Sequence, residues 1–295
     1  MQMELWIPIT IAAAFLQNLR SMLQKHLKAQ LNSLGATAVR FFFALPIAAV
    51  LWLALTKGFA IEAPGFTAWF YVYVTAGALA QIGATLLLVY LFGLKNFAVG
   101  STLARTEAVQ SAVIGFVLLG DTISPLALTG LLISLMGVVL ISGRVKLLQG
   151  GLDRAAWIGI ASGTGFSISA VSYRAASHAL EGGGPLIHGA AVLLATTALQ
   201  SAILLLYFWL KDRAQLSAIK ANWRIGALVG LTGGLASLGW FTALTLQNAA
   251  YVKALAQVEI MFTLLASWLF FKETIRRIEL IGIALVVAGI LLLGQ

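Results

Sequence analysis

Apolar runs of about 20 residues recur along the whole chain, separated only by short stretches that carry charge or turn residues. About 20 residues of α-helix cross the hydrocarbon core of a bilayer, which is about 30 Å thick. Transmembrane β-strands would instead alternate apolar and polar residues over about 10 residues. Charged residues make up 10% of the chain, whereas a soluble domain carries about 25%. The sequence therefore predicts an all-α polytopic membrane protein and excludes a soluble fold.

The apolar runs predict ten transmembrane helices. Ten spans with short connections account for the 295 residues, so we expect no separate soluble domain. The first run continues past the length of a signal peptide, and we expect it to remain in the mature protein. The ten helices are predicted at roughly residues 5–28, 34–56, 66–93, 98–119, 124–143, 155–178, 185–210, 224–246, 249–271 and 278–294.

The second half of the chain repeats the first. Residues 98–141 align without a gap on residues 250–293. The matched pairs include Glu107 with Glu259, Gly130 with Gly282, Gly137 with Gly289, Phe15 with Phe166, and Ser21 with Ser172. The chain is therefore predicted to be a duplicated five-helix unit, with one repeat at 1–148 and the other at 149–295.

Loop charge predicts how the two repeats are oriented. Five helices per repeat bring the second copy into the membrane in the opposite direction, and Lys and Arg favour cytoplasmic loops. Almost all loop cations follow helices 1, 3, 5, 7 and 9, whereas the opposite face holds Lys57 together with Glu4, Glu62, Asp121 and Glu181. We therefore expect inverted repeats, with the odd-numbered loops in the cytoplasm and both termini outside it.

Several classes of function are disfavoured by the composition. The formal net charge of +9 is scattered between apolar spans and forms no basic patch with interleaved aromatic residues, which argues against nucleic-acid binding. The chain has no cysteine, which excludes disulfides and thiolate metal sites, and no nucleotide-binding motif, which argues against a process driven by ATP. The three histidines accompany no Gly-x-Ser-x-Gly motif, and an enzyme is not expected. Neither a cofactor nor a bound metal is expected.

Polar residues within helix 1 are candidates for a binding site, because a charge in the bilayer centre costs about 3 kcal/mol. Gln17, Ser21 and Gln24 recur at helical spacing and share one face, and Arg20 lies beside them. Two interpretations stay open. The face is either one wall of a water-filled cavity or a polar seam satisfied by neighbouring helices.

Helices 4 and 9 carry charged residues at equivalent positions of the repeat. Lys253 and Gln257 are four residues apart on one face of helix 9, and Arg105 is the repeat partner of Gln257. Glu107 and Glu259 lie two residues further on, about 200° around an unbroken helix, and so point elsewhere. For these acids, a cavity or proton-coupling role competes with pairing to a buried cation.

The other polar candidates within spans are Gln81, Trp240, Arg40, Arg174 and His188. Trp240 either packs between helices or lines the cavity, and the two arginines are expected to snorkel towards the interface.

Short motifs recur near the end of each repeat. Gly120-Asp121-Thr122-Ile123 and Lys272-Glu273-Thr274-Ile275 each precede a glycine-bearing helix. In these motifs the chain resembles the drug/metabolite transporter superfamily, specifically its ten-helix EamA-type members, which carry a Gly-Glu-x-Thr turn there. Glu107 and Glu259 match a family Glu that often precedes a proline, although that proline is absent here. The resemblance implies a secondary transporter of a cell membrane, the inner membrane in bacteria, with a cavity between inverted halves and often an exporting direction.

Two hypotheses for the transported substrate stay open. Intramembrane cations outnumber acids, which favours small anionic or zwitterionic metabolites such as amino acids, moved by alternating access around a midplane cavity. The alternative is a proton-coupled exporter of organic cations or drugs that uses Glu107 and Glu259. A lipid flippase or a non-transporting membrane receptor also fits the hydropathy. The expected partners are therefore a small-molecule substrate, the lipid bilayer and, for coupled transport, H⁺.

Overall fold

The computed structural model describes residues 5–94, 104, 106–141, 154–262 and 277–293, and nearly all of these are helical. The helices of the first repeat are α1 (Trp6–Leu27), α2 (Ser33–Leu53, extended by a π turn at Ala54–Gly58), α3 (Ala68–Leu94), α4 (Glu107–Leu119) and α5 (Pro125–Ile141). Those of the second are α6 (Arg154–His178), α7 (Pro185–Lys211), α8 (Arg213–Ala221), α9 (Trp223–Leu246), α10 (Ala249–Leu255, followed by a 3₁₀ turn at Ala256–Val258) and α11 (Arg277–Leu293). The chain is an all-α polytopic membrane protein with two repeats.

The structure differs from the sequence prediction in three places. A short helix, α8, lies in what we predicted to be a charged loop. The ninth predicted helix, residues 249–271, is interrupted after α10 by the 3₁₀ turn at Ala256–Val258. Two residues from each of two linkers also form an antiparallel pair, β1 (Gly65–Phe66) with β2 (Leu180–Glu181). β1 lies in the α2–α3 linker and β2 in the α6–α7 linker, which are not equivalent positions of the two repeats. The predicted segments 98–103 and 263–271 lie outside the described residues.

By length and hydropathy alone, four helices in the described part of the chain could cross a membrane: Ser33–Gly58, Ala68–Phe92, Pro185–Lys211 and Trp223–Leu246. Helix α1 is long enough but more polar, and its buried side chains include Asn18, Arg20, Ser21 and Gln24. Large apolar side chains such as Phe116 and Leu210 are instead exposed on outer faces. This distribution fits a bundle whose outside faces lipid and whose interior holds its polar groups.

Helix packing follows the duplication. Helix α1 packs along α9, and the equivalent helices of the other repeat, α6 and α3, pack along each other. Three further contacts join a helix to its own repeat partner: α2 with α7, α4 with α10, and α5 with α11. Exchanging the two repeats maps the α1–α9 contact onto the α6–α3 contact, and it maps each of the three further contacts onto itself. The bundle therefore has a pseudo-twofold arrangement that brings α1, α4, α6 and α10 together near its centre.

The contact between α5 and α11 shows that the repeats are antiparallel. A Cβ at Gly130 would lie 2.6 Å from the Gly289 carbonyl oxygen, and a Cβ at Gly137 would lie 2.5 Å from that of Gly282. Residue numbers thus rise along one helix and fall along the other. Since Gly130 matches Gly282 and Gly137 matches Gly289 in the repeat, the two contacts exchange under the pseudo-twofold. Only glycine permits so close an approach of the two backbones.

Candidate functional site

A cavity of about 470 Å³, counting the part that is open to the outside, lies where the two repeats meet. We call it the central cavity. Its walls come from helices α1, α3 and α6, from the start of α4, and from α10 together with the residues just after its 3₁₀ turn. The lining residues are Gln17, Arg20, Ser21, Leu88, Phe92, Ala104, Glu107, Phe166, Lys253 and Glu259.

Gln17 connects the two sides of the central cavity. Its Oε1 accepts a hydrogen bond of 3.0 Å from Trp240 Nε1, and its Nε2 donates one of 3.1 Å to Glu259 Oε2. The indole can only donate, so this pair of contacts fixes which way the amide points. Trp240 therefore reaches the site through Gln17, although it is not part of the cavity wall.

Lys253 and Glu107 form a partly buried ion pair across the repeat boundary. Lys253 Nζ lies 3.4 Å from Glu107 Oε2 and 5.1 Å from the centre of the Trp240 ring, at a cation–π distance. Glu107 stands in the first turn of α4, where the helix dipole favours a carboxylate. Ser167 on α6 donates a hydrogen bond of 2.8 Å to the Glu107 carbonyl oxygen. The helix start is thereby held against α6.

Arg20 is the cavity residue with unused hydrogen-bonding capacity. Its side chain is buried, at 2% exposure, and Nη2 makes a long contact of 3.4 Å with Ser21 Oγ. Nε and Nη1 have no hydrogen-bond partner, and no carboxylate of the described residues lies within ion-pair distance of the guanidinium. The Cδ atom passes 3.0 Å from where a Cβ of residue 233 would stand, so Gly233 leaves room for this side chain.

Other residues predicted for the site lie outside the cavity wall. Gln24 Nε2 donates to the Ala36 carbonyl oxygen at 2.9 Å, and Gln81 Oε1 accepts from Tyr173 and Gln200 at 3.2 and 2.9 Å. These amides are buried within the bundle. Along α1, then, the polar stripe divides, with a cavity wall at Gln17 and Ser21 and a satisfied seam at Gln24. Arg105 lies outside the described residues.

The expected shared face of Lys253 and Gln257 is not observed. Gln257 points to α5, where its Oε1 accepts a hydrogen bond of 2.5 Å from Ser134. The cause is the 3₁₀ turn at Ala256–Val258, which rotates each residue by about 120° instead of the about 100° of an α-helix. In an unbroken α-helix, Glu259 would lie about 120° from Lys253 around the helix axis. The three residues of the 3₁₀ turn reduce this angle to about 60°. Both charged side chains can then line one cavity.

Arg40 and Arg174 do not snorkel. Arg40 is buried and donates to Thr85 Oγ1 at 3.1 Å. Arg174 forms an ion pair with Asp121, at 3.2 Å from Nε to Oδ2, and its Nη1 donates to the carbonyl oxygens of Leu244 and Gln247 at 3.0 and 2.8 Å. The guanidinium therefore ties α6 to the turn after α4 and to the end of α9.

His188 lies apart from the central cavity. Its Nε2 is 2.6 Å from the Gly182 carbonyl oxygen, and it borders a second depression near the β1–β2 pair. Among the residues that the structure describes, no group of three His, Asp or Glu side chains comes together as a metal site.

The apolar wall of the central cavity was not predicted. Leu88 and Phe92 from α3 and Phe166 from α6 form it. Apolar residues in transmembrane spans carry no signal of their own, since most of them face lipid or other helices. A hint existed in the repeat, where Phe166 matches Phe15 on the helix that bears Gln17 and Arg20.

Comparison with known proteins places the two repeats in one family of sequences. Residues 4–143 and 155–295 each match the model of the EamA-like transporter family. A solved crystal structure, described only as that of a protein, is similar with a TM-score of 0.62 at 18% identity, over 96% of this chain and 98% of the other. At that identity the likeness concerns the fold alone. No curated protein sequence matches the chain.

Proposed function

Because the chain belongs to the EamA-like transporter family, we propose that this membrane transporter carries small metabolites with a carboxylate group, such as amino acids or related organic acids. Transport proceeds by alternating access, since two antiparallel repeats around a midplane site have near-equivalent conformations that open to either side. The proposed direction is export from the cytoplasm, driven by a gradient.

The observation that carries this proposal is that two donors of the buried Arg20 guanidinium have no hydrogen-bond partner. Burying such donors is costly, and a carboxylate is the ligand that best satisfies them. Nε and Nη1 of Arg20 are buried at a cavity of about 470 Å³ and have no protein partner. A substrate carboxylate would supply the missing acceptors, and such charge-assisted hydrogen bonds are about twice as strong as neutral ones.

The opposite charges in the same cavity favour a zwitterion over a simple anion. Glu107 and Glu259 line the cavity together with Arg20 and Lys253. A substrate ammonium group near Glu259 and a carboxylate at Arg20 would complement both signs. Phe92 and Phe166 would then face the apolar part of the molecule.

The second candidate function is proton-coupled export of organic cations. It is favoured by the two repeat-equivalent carboxylates in the cavity, one of which, Glu107, already binds an ammonium group of the protein. Protonation of Glu107 would release Lys253, and the freed site could exchange a proton for a cationic substrate. In this case Arg20 would repel the substrate instead of binding it.

Ligand-induced thermal stabilisation separates the two candidates, because binding to the folded state raises its stability by RT ln(1 + [L]/Kd). The purified protein is heated with amino acids, organic acids and organic cations at two pH values. A midpoint shift with carboxylates should be lost in Arg20→Ala, partly kept in Arg20→Lys, and kept in Gln24→Ala, one turn along α1 but outside the cavity. A shift with cations alone, growing as pH rises and lost in Glu259→Gln, would overturn the proposal in favour of cation export.

We also propose the inner membrane of a bacterium as the location, with both termini outside the cytoplasm. Loop charge supports this orientation. A topology reporter fused after Gln295 tests it, and cytoplasmic activity of that reporter would contradict it.

A further inference from the structure

Helix α8 (Arg213–Ala221) has no counterpart in the first repeat, where the equivalent link between α2 and α3 holds only the end of the π turn and β1. It lies between α7 and α9 at the end of the bundle that loop charge predicts to be cytoplasmic. Arg213 and Lys220 are seven residues apart, two helical turns, and so point to the same side. Both are exposed, as are Lys211 and Arg224, which flank the helix. We call these four residues the basic face.

The opposite side of α8 is fixed to the protein. Ile219 is 5% exposed and belongs to an apolar cluster with Leu27, Leu31 and Phe208. The helix also contacts the α1–α2 linker, where Asn32 N donates to Gln215 Oε1 and Asn32 Nδ2 donates to Asp212 Oδ2, each at 3.3 Å. This packing leaves the basic face turned outwards. Asp212, the one acidic residue among residues 211–224, accepts the hydrogen bond from Asn32.

Two tryptophans mark the level of this surface relative to a bilayer. Trp209 and Trp223, at the ends of α7 and α9 nearest α8, are exposed, and exposed tryptophans concentrate at the lipid headgroups. The Arg213 guanidinium lies 5.1 Å from the Trp209 ring centre, and that of Arg224 lies 5.8 Å from the Trp223 ring centre. The cationic groups are therefore at the same depth as the rings.

We propose that the basic face binds the phosphate headgroups of anionic phospholipids. Four exposed cations lie on and beside one amphipathic helix, and two of them, Arg213 and Arg224, lie at the depth of the tryptophan rings. Such a surface complements negatively charged lipid headgroups. A bound lipid would also affect the rest of the protein, because α8 contacts the α1–α2 linker of the other repeat through Asn32. Anionic lipid should therefore stabilise the folded protein beyond what a neutral lipid of the same chains achieves.

The test uses the full chain, purified in detergent and supplemented with phosphatidylglycerol or with phosphatidylcholine of the same acyl chains. We expect native mass spectrometry to count bound phosphatidylglycerol, and the thermal midpoint to rise more with this lipid than with phosphatidylcholine. R213Q/K220Q should lower the affinity for phosphatidylglycerol roughly 25-fold, about fivefold for each cation removed. High salt should weaken binding to the unmodified protein in the same way.

Three controls keep the outcomes distinct. R213K/K220R retains the charges and should retain lipid binding, whereas Lys57→Gln removes an exposed cation at the opposite end of the bundle and should change nothing. Equal midpoints of all variants in phosphatidylcholine will show that α8 still folds.

Unchanged phosphatidylglycerol binding by R213Q/K220Q would overturn the proposal. So would an equal effect of soluble glycerol phosphate, because the partner would then be a free phosphate. The result is independent of which substrate the central cavity takes.

Discussion

Arg20 and Arg174 lie on equivalent helices of the two repeats, α1 and α6, but in opposite surroundings. Arg174 uses Nε, Nη1 and Nη2 in contacts with Asp121 and with the carbonyl oxygens at the end of α9. Arg20 is more deeply buried, faces the central cavity and leaves Nε and Nη1 without partners. The repeat alignment that matches Ser21 with Ser172 pairs neither arginine with the other.

This difference separates a residue that holds the fold from one that is available to a ligand. Both arginines are charged residues within predicted membrane spans. They differ in burial and in the number of their protein partners. A guanidinium with its protein contacts complete contributes to stability, whereas an incomplete one lowers stability until a ligand arrives. Stability and binding should therefore respond oppositely to removal of the two side chains.

The largest effect is expected for Arg174→Ala. The substitution leaves the Asp121 carboxylate without its cation and removes two hydrogen bonds to helix-end carbonyls, which together cost about 4 kcal/mol of unfolding free energy. Thermal unfolding of the purified protein measures it. The double variant Arg174→Gln with Asp121→Asn should recover part of the loss, because no charge is left unpaired. An unchanged midpoint in Arg174→Ala would mean that the ion pair does not join these helices.

Arg20→Met should act in the other direction when no ligand is present. It replaces a buried charge that leaves two hydrogen-bond donors without partners by an apolar side chain of similar length, so the free energy of unfolding should stay the same or rise by about 1–2 kcal/mol. The same thermal measurement without ligand checks this. If Arg20→Met lost as much stability as Arg174→Ala, Arg20 would be a structural residue, and the contrast between the two arginines would collapse.

Much of the architecture was predictable because it depends on local patterns. Span length, the odd number of helices per repeat and the glycines of α5 and α11 are all visible in the sequence. Helix α8 was missed because a charged segment of nine residues resembles a loop. Its helical form depends on packing against Asn32 and the apolar cluster around Ile219.

The site was predictable only as a set of candidates. Gln17, Arg20 and Glu259 line the central cavity, whereas the equally polar candidates Gln24, Gln81 and Gln257 lie elsewhere. Their partners, Ala36, Gln200 and Ser134, come from other helices, and a sequence does not say which helices meet. The 3₁₀ turn that rotates Glu259 towards the cavity also has no signal in the residues 256–258 themselves.

Gln17 and Gln24 extend the comparison along a single helix. Gln17→Ala removes two side-chain contacts, to Trp240 and Glu259, and should cost about 1–2 kcal/mol. Gln24→Ala removes one contact to a backbone carbonyl and should cost about 1 kcal/mol or less. In addition, only Gln17→Ala should weaken the ligand-induced midpoint shift. Equal loss of that shift in both variants would show that the cavity extends further along α1 than Gln17 and Ser21.

The smallest effect is expected at two adjacent glycines of α9. A Cβ at residue 233 would lie 3.0 Å from Arg20 Cδ, whereas one at residue 234 would lie 3.3 Å from Ile47 Cγ2, away from the central cavity. Gly233→Ala should therefore displace Arg20 by a few tenths of an ångström and weaken carboxylate binding about threefold, or about 0.7 kcal/mol. Gly234→Ala should leave the affinity unchanged, while both variants carry a similar packing cost of about 1 kcal/mol. Titration of a carboxylate ligand against each variant tests this directly. An equal change in affinity would mean that the ligand responds to the packing of α9 as a whole, and Arg20 would lose its special place in the site.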